Sequence, residues 1–385
     1  MVLPRAEILA LLPGYPRPPV VGTIGSHSAL DIADGAVEEG FHTLVLAQKG
    51  RERTYARYYR AHRDAQGRVT RGCVDEVWTF PRFADVVAAE AQARMRNRGV
   101  LLVPNRALSS YVPLDLLESS FRVPLVGSRN LLRIEERTER ENYYALLAAA
   151  SIPAPARIPA PQEIEGLAIV KLPHAKRRLE RGFFTAASFQ EFQRKSEALI
   201  ADGTITRDDL DAARVERYVI GPVFNFNFFF SPLAPREDGL ELLGVDERRE
   251  SSLDGLVRLP AAQQLEIRGP HAIPQYTVVG HGTLTVRESL LEEVFDFGER
   301  FVEVTRDRAS PGIIGPFTLQ TCIDRDGKAW VFDVAARIGG GTNIHLALGH
   351  PYGNALWRSP MSSGRRIAIE IRQALELDRL TEIVT

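Results

Sequence analysis

The last quarter of the chain reads Gly315-Pro-Phe-Thr-Leu-Gln320-Thr-Cys-Ile323, Asp324-Arg-Asp-Gly-Lys328 and Ala329-Trp-Val-Phe-Asp333-Val-Ala335. Two apolar-rich runs around Asp326-Gly327 predict a β-hairpin with a two-residue type I′ turn. In that register Gln320 faces Asp333, and Thr318 faces Ala335 on the same side of the sheet. Opposed side chains lie roughly 4.5–5.5 Å apart at Cβ, so Gln320 and Asp333 can share a hard cation such as Mg²⁺. The alternative is a carboxylate exposed on a half-solvated sheet.

The segment that follows the hairpin strengthens the interpretation as a site. Arg337 stays on the same side of the sheet if the strand continues, and Gly339-Gly-Gly-Thr-Asn343 comes directly after it. Glycine allows the backbone to approach a ligand closely. The loop can therefore bring backbone groups to phosphates, which favours function over an ordinary exposed carboxylate.

The first part of the chain predicts a small doubly wound α/β domain of about 125 residues. Residues 20–47 read as strand, helix and strand, which implies a parallel pair. The further elements that we expect are a helix near 83–98, buried strands at 100–103 and 124–127, and an irregular stretch near 105–120.

The turn Gly22-Thr-Ile-Gly-Ser-His27-Ser28 is a candidate anion site within this domain. A helix N-terminus offers free N–H groups and the positive end of its dipole, and His27 adds an imidazole. Phosphate binding there would weaken as the pH rises through the pKa of histidine. The turn lacks the dinucleotide pattern G-x-G-x-x-G. A plain helix capped by Ser26 or Ser28 explains the same residues equally well.

The second part of the chain follows a connector with four prolines, Ile152-Pro-Ala-Pro-Ala-Arg-Ile-Pro-Ala-Pro161. Strands mixed with helices predict an α+β domain here. The expected strands are 167–171, 182–187, 214–220, 223–230 and 240–246, and the expected helices are 138–150, 188–201, 288–304 and 361–377.

Lys171 is a candidate phosphate ligand because it ends an apolar strand and precedes a cationic loop at 172–182. The alternative is a solvated strand end, in which case Lys171→Met leaves ATP affinity unchanged. We expect this substitution to weaken ATP binding and to leave stability without ligand similar. The segment Val215-Glu-Arg-Tyr-Val-Ile220 can offer backbone groups to an adenine edge, or it is an ordinary edge strand.

Composition excludes several classes of protein. The 385 residues carry 48 Lys and Arg against 49 Asp and Glu, so a large nucleic-acid-binding surface is not required. Two cysteines, Cys73 and Cys322, cannot build a disulfide framework or a multi-cysteine metal site. No apolar run approaches the roughly 18 residues of a membrane span, and no signal peptide is recognisable. We therefore expect a cytoplasmic protein.

These motifs together resemble the ATP-grasp superfamily and, within it, the archaeal formate–phosphoribosylaminoimidazolecarboxamide ligases, or FAICAR synthetases. The similarity runs in order through almost the whole chain. The matching stretches are Thr23–His27, Val126–Asn130, Val170–Pro173, Arg181–Phe184, Glu216–Val219, Glu250–Arg258, Val286–Leu291, Ile314–Phe317, Ala336-Arg337 and Gly340–Asn343.

The resemblance implies an α/β pre-ATP-grasp (Rossmann-like) domain followed by an α+β ATP-grasp domain. It implies that ATP and formate act with the nucleotide AICAR through formyl phosphate, in a homo-oligomer that uses Mg²⁺ or Mn²⁺. The implied domain bounds are 1–125 and 126–385, with lobes at about 138–220 and 221–385. The implied roles are His27, His281 and Ser109 for substrate, Lys171, Glu216, Tyr218, Val219 and Glu250 for ATP, Gln320 and Asp333 for metal, and Arg337 for catalysis.

The chain departs from the family pattern at four places. Ala107 stands where the family has a phosphate-contacting serine, although Ser109 is near, and His281 stands where it has an asparagine. The phosphate loop, 174–180, has no glycine, and Asp333 replaces a glutamate. Two alternatives follow: a ligase that acts on another phosphorylated amine, and a nucleotide-binding paralogue without turnover.

Overall fold

The computed structural model describes residues 2–173, 182–267 and 277–385. Its strands are β1 Val20–Ile24, β2 His42–Gln48, β3 His62–Arg63, β4 Val69–Arg71, β5 Glu76–Phe80, β6 Val100–Leu102, β7 Glu165–Lys171, β8 Phe183–Ser188, β9 Arg214–Arg217, β10 Val223–Phe230, β11 Leu240–Glu250, β12 Val278–Thr283, β13 Gly315–Ile323 and β14 Ala329–Ala335.

The α-helices lie between and after these strands. They are α1 Arg5–Leu9, α2 Ala29–Glu38, α3 Ala89–Arg98, α4 Arg106–Tyr111, α5 Leu114–Ser119, α6 Tyr143–Ala149, α7 Phe189–Ala201, α8 Arg207–Asp211, α9 Ser251–Val257, α10 Ala261–Glu266, α11 Leu291–Arg308, α12 Pro351–Trp357, α13 Ser363–Glu376 and α14 Leu380–Ile383. No helix within the described ranges has both the length and the apolar character to cross a membrane.

The N-terminal part is a parallel sheet in the order β5-β2-β1-β6. All five residues of β1 are buried, as expected for a central strand that is covered on both faces. The predicted strand–helix–strand unit is confirmed. The stretch 105–120 is not irregular, however, because it forms the short helices α4 and α5. Residues 124–127 contribute isolated bridges to Leu102 and Val384 rather than a full strand.

The second part contains two antiparallel sheets, which confirms the α+β prediction. The smaller sheet has the order β8-β7-β9, and the larger one has the order β12-β11-β10-β13-β14. Phenylalanines fill the space between the larger sheet and α11: the rings of Phe228 and Phe317 are 5.2 Å apart, and those of Phe301 and Phe317 are 5.4 Å apart. One face of the larger sheet is thereby buried, and polar residues on the other face remain available for a site.

The helix α13 packs on α2, so the end of the described chain completes the core of the N-terminal sheet. Two glycines allow this contact: a Cβ on Gly35 would lie 2.1 Å from the backbone of Arg365, and a Cβ on Gly364 would lie 2.0 Å from the backbone of Asp31. Asp31 also accepts a hydrogen bond from the Gly364 amide at 3.1 Å.

The division of the chain into domains at residue 125 stays a prediction.

Candidate functional site

One cavity of about 770 Å³ collects every residue that the sequence analysis assigned to a site. Its walls come from the turn after β1, from β7 and β9, and from the polar face of the larger sheet. The assigned residues in its lining are His27, Ser109, Lys171, Glu216, Tyr218, Val219, Glu250, His281, Gln320, Asp333 and Arg337. Most of the predicted cationic loop, residues 174–181, lies outside the described residues.

His27 stands at one end of the cavity, on the turn between β1 and α2. Asn105 holds this turn, because its Nδ2 donates to two carbonyl groups of the turn at 2.7 and 3.0 Å. Ser28 holds it from the other side through a hydrogen bond to the carbonyl of Gly339. His27 itself adopts a φ of +33°, in the left-handed region that few residues other than glycine occupy. The predicted turn is therefore a fixed platform for the imidazole.

The electrostatic surroundings of His27 are strongly basic. Burial and four neighbouring side chains lower the pKa of His27 to about 4. These neighbours are Arg106, Arg337, His281 and Arg248, in decreasing order of effect. The imidazole is therefore neutral at pH 7 in the protein without a bound anion, which corrects the expectation of titration near the ordinary histidine pKa. The arginines supply the positive charge at this end of the cavity.

Arg106 enters the cavity at the start of α4. Asn105 caps this helix, because its Oδ1 accepts hydrogen bonds from the amides of Ala107 and Leu108 at 3.1 and 3.4 Å. Ala107 is fully buried, and its methyl group has no hydrogen to donate. Ser109 lines the cavity, but its hydroxyl donates to the carbonyl of Arg106 at 3.2 Å. The guanidinium of Arg106 is thus the stronger anion ligand on this helix.

Lys171 is buried, with 5% of its surface exposed, and it is held by three groups. Its Nζ lies 2.8 Å from the carboxylate of Glu216 and donates to the Tyr144 hydroxyl at 2.6 Å and to the Phe332 carbonyl at 3.1 Å. Glu216 also binds Arg214 at 2.6 Å. Burial lowers the pKa of Lys171, and Glu216 opposes this shift. We therefore expect removal of Lys171 to destabilise the fold, contrary to the expectation from the sequence.

The turn of the β13–β14 hairpin differs from the predicted one. The amide of Gly327 donates to the carbonyl of Asp324 at 3.0 Å, and the amide of Asp324 donates to Lys328 at 3.0 Å. Gly327 has a φ of +80°. The loop is therefore longer by one residue than the two-residue turn, with glycine in the left-handed position that closes it.

A β-bulge in β14 compensates for this longer turn. Next to the turn the register is shifted by one residue from the predicted one. Thr321 was predicted to face Phe332, but it faces Val331. Phe332 is the extra residue, and beyond it Gln320 faces Asp333 as predicted. The bulge frees the carbonyl of Phe332 from the ladder, and this carbonyl accepts the hydrogen bond from Lys171. The candidate phosphate ligand is thereby joined to the strand that carries the candidate metal ligand.

Gln320 and Asp333 fit a hard divalent cation by the chemistry of their donors. Both residues line the cavity from adjacent strands, and carboxylate and amide oxygens are preferred by such ions. Without a bound ion, Oε1 of Gln320 accepts a hydrogen bond from Arg248, which an ion would have to replace. Glu135 adds a second carboxylate, since its Oε1 is buried without a hydrogen-bond partner among the described residues. Burial and Asp333 raise the pKa of Glu135. The described residues contain no group of three or more His, Cys, Asp and Glu side chains suited to a metal, so any such site depends on Gln320 and the substrates.

Arg337 is buried on the same side of the sheet, with 7% of its surface exposed. It forms an ion pair with Glu135 at 3.1 Å, and another N–H group donates to the carbonyl of Ile338 at 3.0 Å. Its Nε has no hydrogen-bond partner in the described parts of the chain. A fixed guanidinium with a free N–H group can stabilise negative charge that develops in the cavity.

The chain matches two family models along most of its length. Residues 21–158 match "Protein of unknown function (DUF1246)", and residues 191–385 match "Domain of unknown function (DUF1297)". A curated relative from Methanothermobacter thermautotrophicus, named "5-formaminoimidazole-4-carboxamide-1-(beta)-D-ribofuranosyl 5'-monophosphate synthetase", is 40% identical over 382 residues, which is 99% of each chain. The chain belongs to the FAICAR synthetase family.

Solved structures place this FAICAR synthetase family member in the ATP-grasp fold. An "IMP biosynthesis protein PurP" from Thermococcus kodakaraensis matches with a TM-score of 0.69 and 29% identity, over 95% of this chain and 100% of that one. N5-carboxyaminoimidazole synthetase from Staphylococcus aureus matches with a TM-score of 0.54 and 10% identity, over 92% and 77%. The second similarity concerns the fold alone, and it confirms the predicted pre-ATP-grasp and ATP-grasp architecture.

Sequence reasoning missed several cavity residues of this FAICAR synthetase family member. Arg106, Glu135, Arg137 and Arg248 lie in segments whose charges resemble those of solvated surfaces, so nothing in their local pattern distinguished them. Asn225 did carry a signal, because it alternates with phenylalanines in a strand and must therefore face away from the core.

Proposed function

We propose that this chain joins formate to the exocyclic amine of AICAR and converts ATP to ADP and phosphate. The observation that carries the proposal is that one cavity is lined by the candidate ATP ligands, metal ligands and anion ligands together. Family membership over the full length of the chain supports the same reaction, because the relatives carry the name of its product.

At the ATP end, Lys171 is the proposed ligand of the phosphates. Tyr218 and Val219 line the cavity just after β9 and are proposed to meet the adenine and ribose, and Glu250, which also lines it, is proposed to contact ATP. The side chain of Glu216 is fully buried between Lys171 and Arg214. We therefore assign Glu216 the role of positioning Lys171.

Between the two ends, Gln320 and Asp333 are proposed to hold Mg²⁺ or Mn²⁺. When bound, such an ion neutralises negative charge on the phosphates of ATP. Asp333 is one methylene shorter than glutamate, and it lies close enough to Glu135 to add to the effect of burial in raising the pKa of Glu135. The chain's own contribution is a set of oxygen donors fixed on two paired strands.

The proposed reaction has two steps. A formate oxygen attacks the γ-phosphorus, the bond to ADP breaks, and formyl phosphate forms. The amine nitrogen of AICAR then attacks the formyl carbon. The bond from this carbon to the phosphate oxygen breaks with its electron pair, and the departing phosphate takes the amine proton. Arg337 is proposed to bind the acyl phosphate, and its burial and its position in the cavity lining support this role.

At the anion end, His27 and Arg106 are proposed to hold the 5′-phosphate of AICAR, with His281 and Ser109 nearby. Arg106 compensates for the methyl group of Ala107, because a guanidinium binds phosphate through two parallel N–H bonds. Burial is the main cause of the low pKa of His27, and the charges of Arg106, Arg337 and Arg248 add to it, so positive charge is available here to a phosphate.

The test is a measurement of ADP release with ATP and Mg²⁺, with formate and AICAR added singly and together, and with the product identified by mass spectrometry. Release that requires both compounds supports the proposal. Release with another phosphorylated amine supports the first alternative, and ATP binding without release supports the paralogue. A homo-oligomer and a cytoplasmic location stay predictions, which light scattering and fractionation would test.

A further inference from the structure

A row of polar side chains crosses the cavity floor on four neighbouring strands. In the ladder, Asp246 of β11 faces Asn225 of β10, Asn225 faces Gln320 of β13, and Gln320 faces Asp333 of β14. All four residues line the cavity. Gln320 and Asp333 belong to the proposed metal site, whereas Asn225 and Asp246 have no role in the function proposed above.

Hydrogen bonds fix the orientation of the amide of Asn225. Its Nδ2 donates to one oxygen of Asp246 at 2.8 Å, and Nδ2 of Asn227 donates to the other oxygen at 2.7 Å. A buried carboxylate without a proton accepts hydrogen bonds and donates none. The nitrogen of Asn225 must therefore face Asp246, and its oxygen must point the other way.

The oxygen of Asn225 is an unsatisfied acceptor in a residue that lines the cavity. Asn225 is 5% exposed, and its Oδ1 is buried without a hydrogen-bond partner in the described parts of the chain. Asn227 differs here, because its oxygen accepts a hydrogen bond from Thr318 at 2.9 Å. Buried polar atoms without partners are rare in folded proteins. The hydrogen bond to Asp246 also polarises the Asn225 amide, which makes its oxygen a better acceptor.

The position of Asn225 favours an N–H donor over a metal ion as its ligand. Strands β10 and β14 are two apart, which separates their backbones by roughly 9.6 Å. An ion shared by Gln320 and Asp333 would lie between β13 and β14, so Asn225 on β10 stands beside that pair and outside it. The group that needs an acceptor beside the phosphoryl-transfer site is the attacking amine.

We infer that Oδ1 of Asn225 accepts a hydrogen bond from the exocyclic amine of the acceptor nucleotide and so directs the nitrogen lone pair toward the acyl phosphate. The inference rests on the proposed function. It names a residue that selects nucleotides with an amine at this position, and it assigns Asp246 the supporting role of holding that residue.

The test compares Asn225→Leu with the matched control Asn227→Leu. The two residues share a residue type, a strand face and a partner carboxylate, and they differ in whether the oxygen already accepts a hydrogen bond within the described structure. Calorimetry would measure binding of AICAR and of the nucleotide in which hydrogen replaces the amine. We expect Asn225→Leu to weaken AICAR binding about tenfold, as for one lost hydrogen bond in a closed site, and to leave binding of the analogue unchanged. Asn227→Leu should change both by less than about threefold.

Several outcomes would overturn the inference. Equal losses for both nucleotides in Asn225→Leu would show a general effect on the cavity. A fall in Mn²⁺ affinity with unchanged AICAR affinity would make Asn225 a metal ligand. If Asn225→Leu fails to fold, the wild type decides, because it must itself prefer AICAR over the analogue about tenfold. If the wild type binds AICAR and the analogue equally well, the role of Asn225 is refuted and the proposed function stands. If the wild type binds neither nucleotide, the proposed function is refuted as well.

Discussion

Replacing Lys171 by methionine tests whether this buried lysine supports the fold as well as ATP binding. The substitution leaves the carboxylate of Glu216 in the interior with Arg214 as its remaining ion-pair partner in the described structure. Loss of one partner of a buried pair costs about 3–5 kcal/mol. We expect the low end, about 3 kcal/mol, because Arg214 still lies 2.6 Å from Glu216. With an unfolding entropy of about 2.1 cal/mol/K per residue over 385 residues, this corresponds to a fall in Tm of roughly 4 °C.

Calorimetry of the ligand-free protein would measure this change, with Lys195→Met as the control. Lys195 also pairs with a carboxylate at 2.8 Å, but at the partly exposed surface of α7, so its loss should cost less than about 1 kcal/mol. The double variant Lys171→Met/Glu216→Gln should recover stability and still bind ATP about tenfold to a hundredfold more weakly than wild type. An unchanged Tm in Lys171→Met would refute the reasoning, and unchanged ATP affinity would remove Lys171 from the site.

Three further predictions follow from the cavity and its surroundings. Asp333→Asn should abolish Mg²⁺-dependent ADP release with the fold intact, and Gln320→Ala should be milder because a neutral amide is a weaker ligand; normal turnover in Asp333→Asn would contradict the metal site. Arg106→Met should raise the pKa of His27 by part of its shift, because burial remains the larger cause, and NMR of the imidazole would measure this change. The same substitution should raise the KM for AICAR about tenfold. An unmoved pKa would show that Arg106 does not act on His27. Burial lowers the pKa of His345 from 6.5 to about 3. The contribution of the neutral imidazole to the free energy of unfolding is therefore complete above pH 6.5 and is lost as the pH falls. Urea unfolding at pH 7 and pH 5 should show a loss of stability that is about 2 kcal/mol smaller in His345→Gln than in the wild type, and equal losses in both proteins would contradict this assignment.

The sequence allowed the prediction of elements whose signal is local. The turn predicted at Asp326-Gly327 placed Gln320 opposite Asp333, and the glycine-bounded turn after a buried strand placed His27. The bulge at Phe332 was not predictable from local sequence. It accompanies a hairpin loop that is one residue longer than predicted, and it frees a carbonyl that accepts a hydrogen bond from the distant Lys171. The predicted turn was one residue too short and the bulge was not predicted. These two errors cancel beyond the bulge, so Asp333 still faces Gln320 as predicted.

The charges of the cavity were harder to predict than its strands. Arg106 is one of many arginines in the chain, and only the packing of α4 against the first turn shows that it faces His27. The alternation of Asn225 and Asn227 with phenylalanines was readable, since a strand with one aromatic face must present the asparagines on the other. Their separate roles depend on long-range partners, Asp246 and Thr318, which local patterns do not reveal.

The close packing of α13 on α2 has a consequence for the synthesis of the chain. During translation the N-terminal strands emerge long before residues 363–376, which cover the apolar side of α2. Until those residues leave the ribosome, Ile32 and Ala36 lack the helix that buries them. The nascent domain therefore exposes an apolar surface that is prone to aggregation. A bulky side chain at Gly35 or Gly364 would lengthen this vulnerable interval. Such variants should therefore lose soluble yield at high expression temperature before they lose catalytic competence.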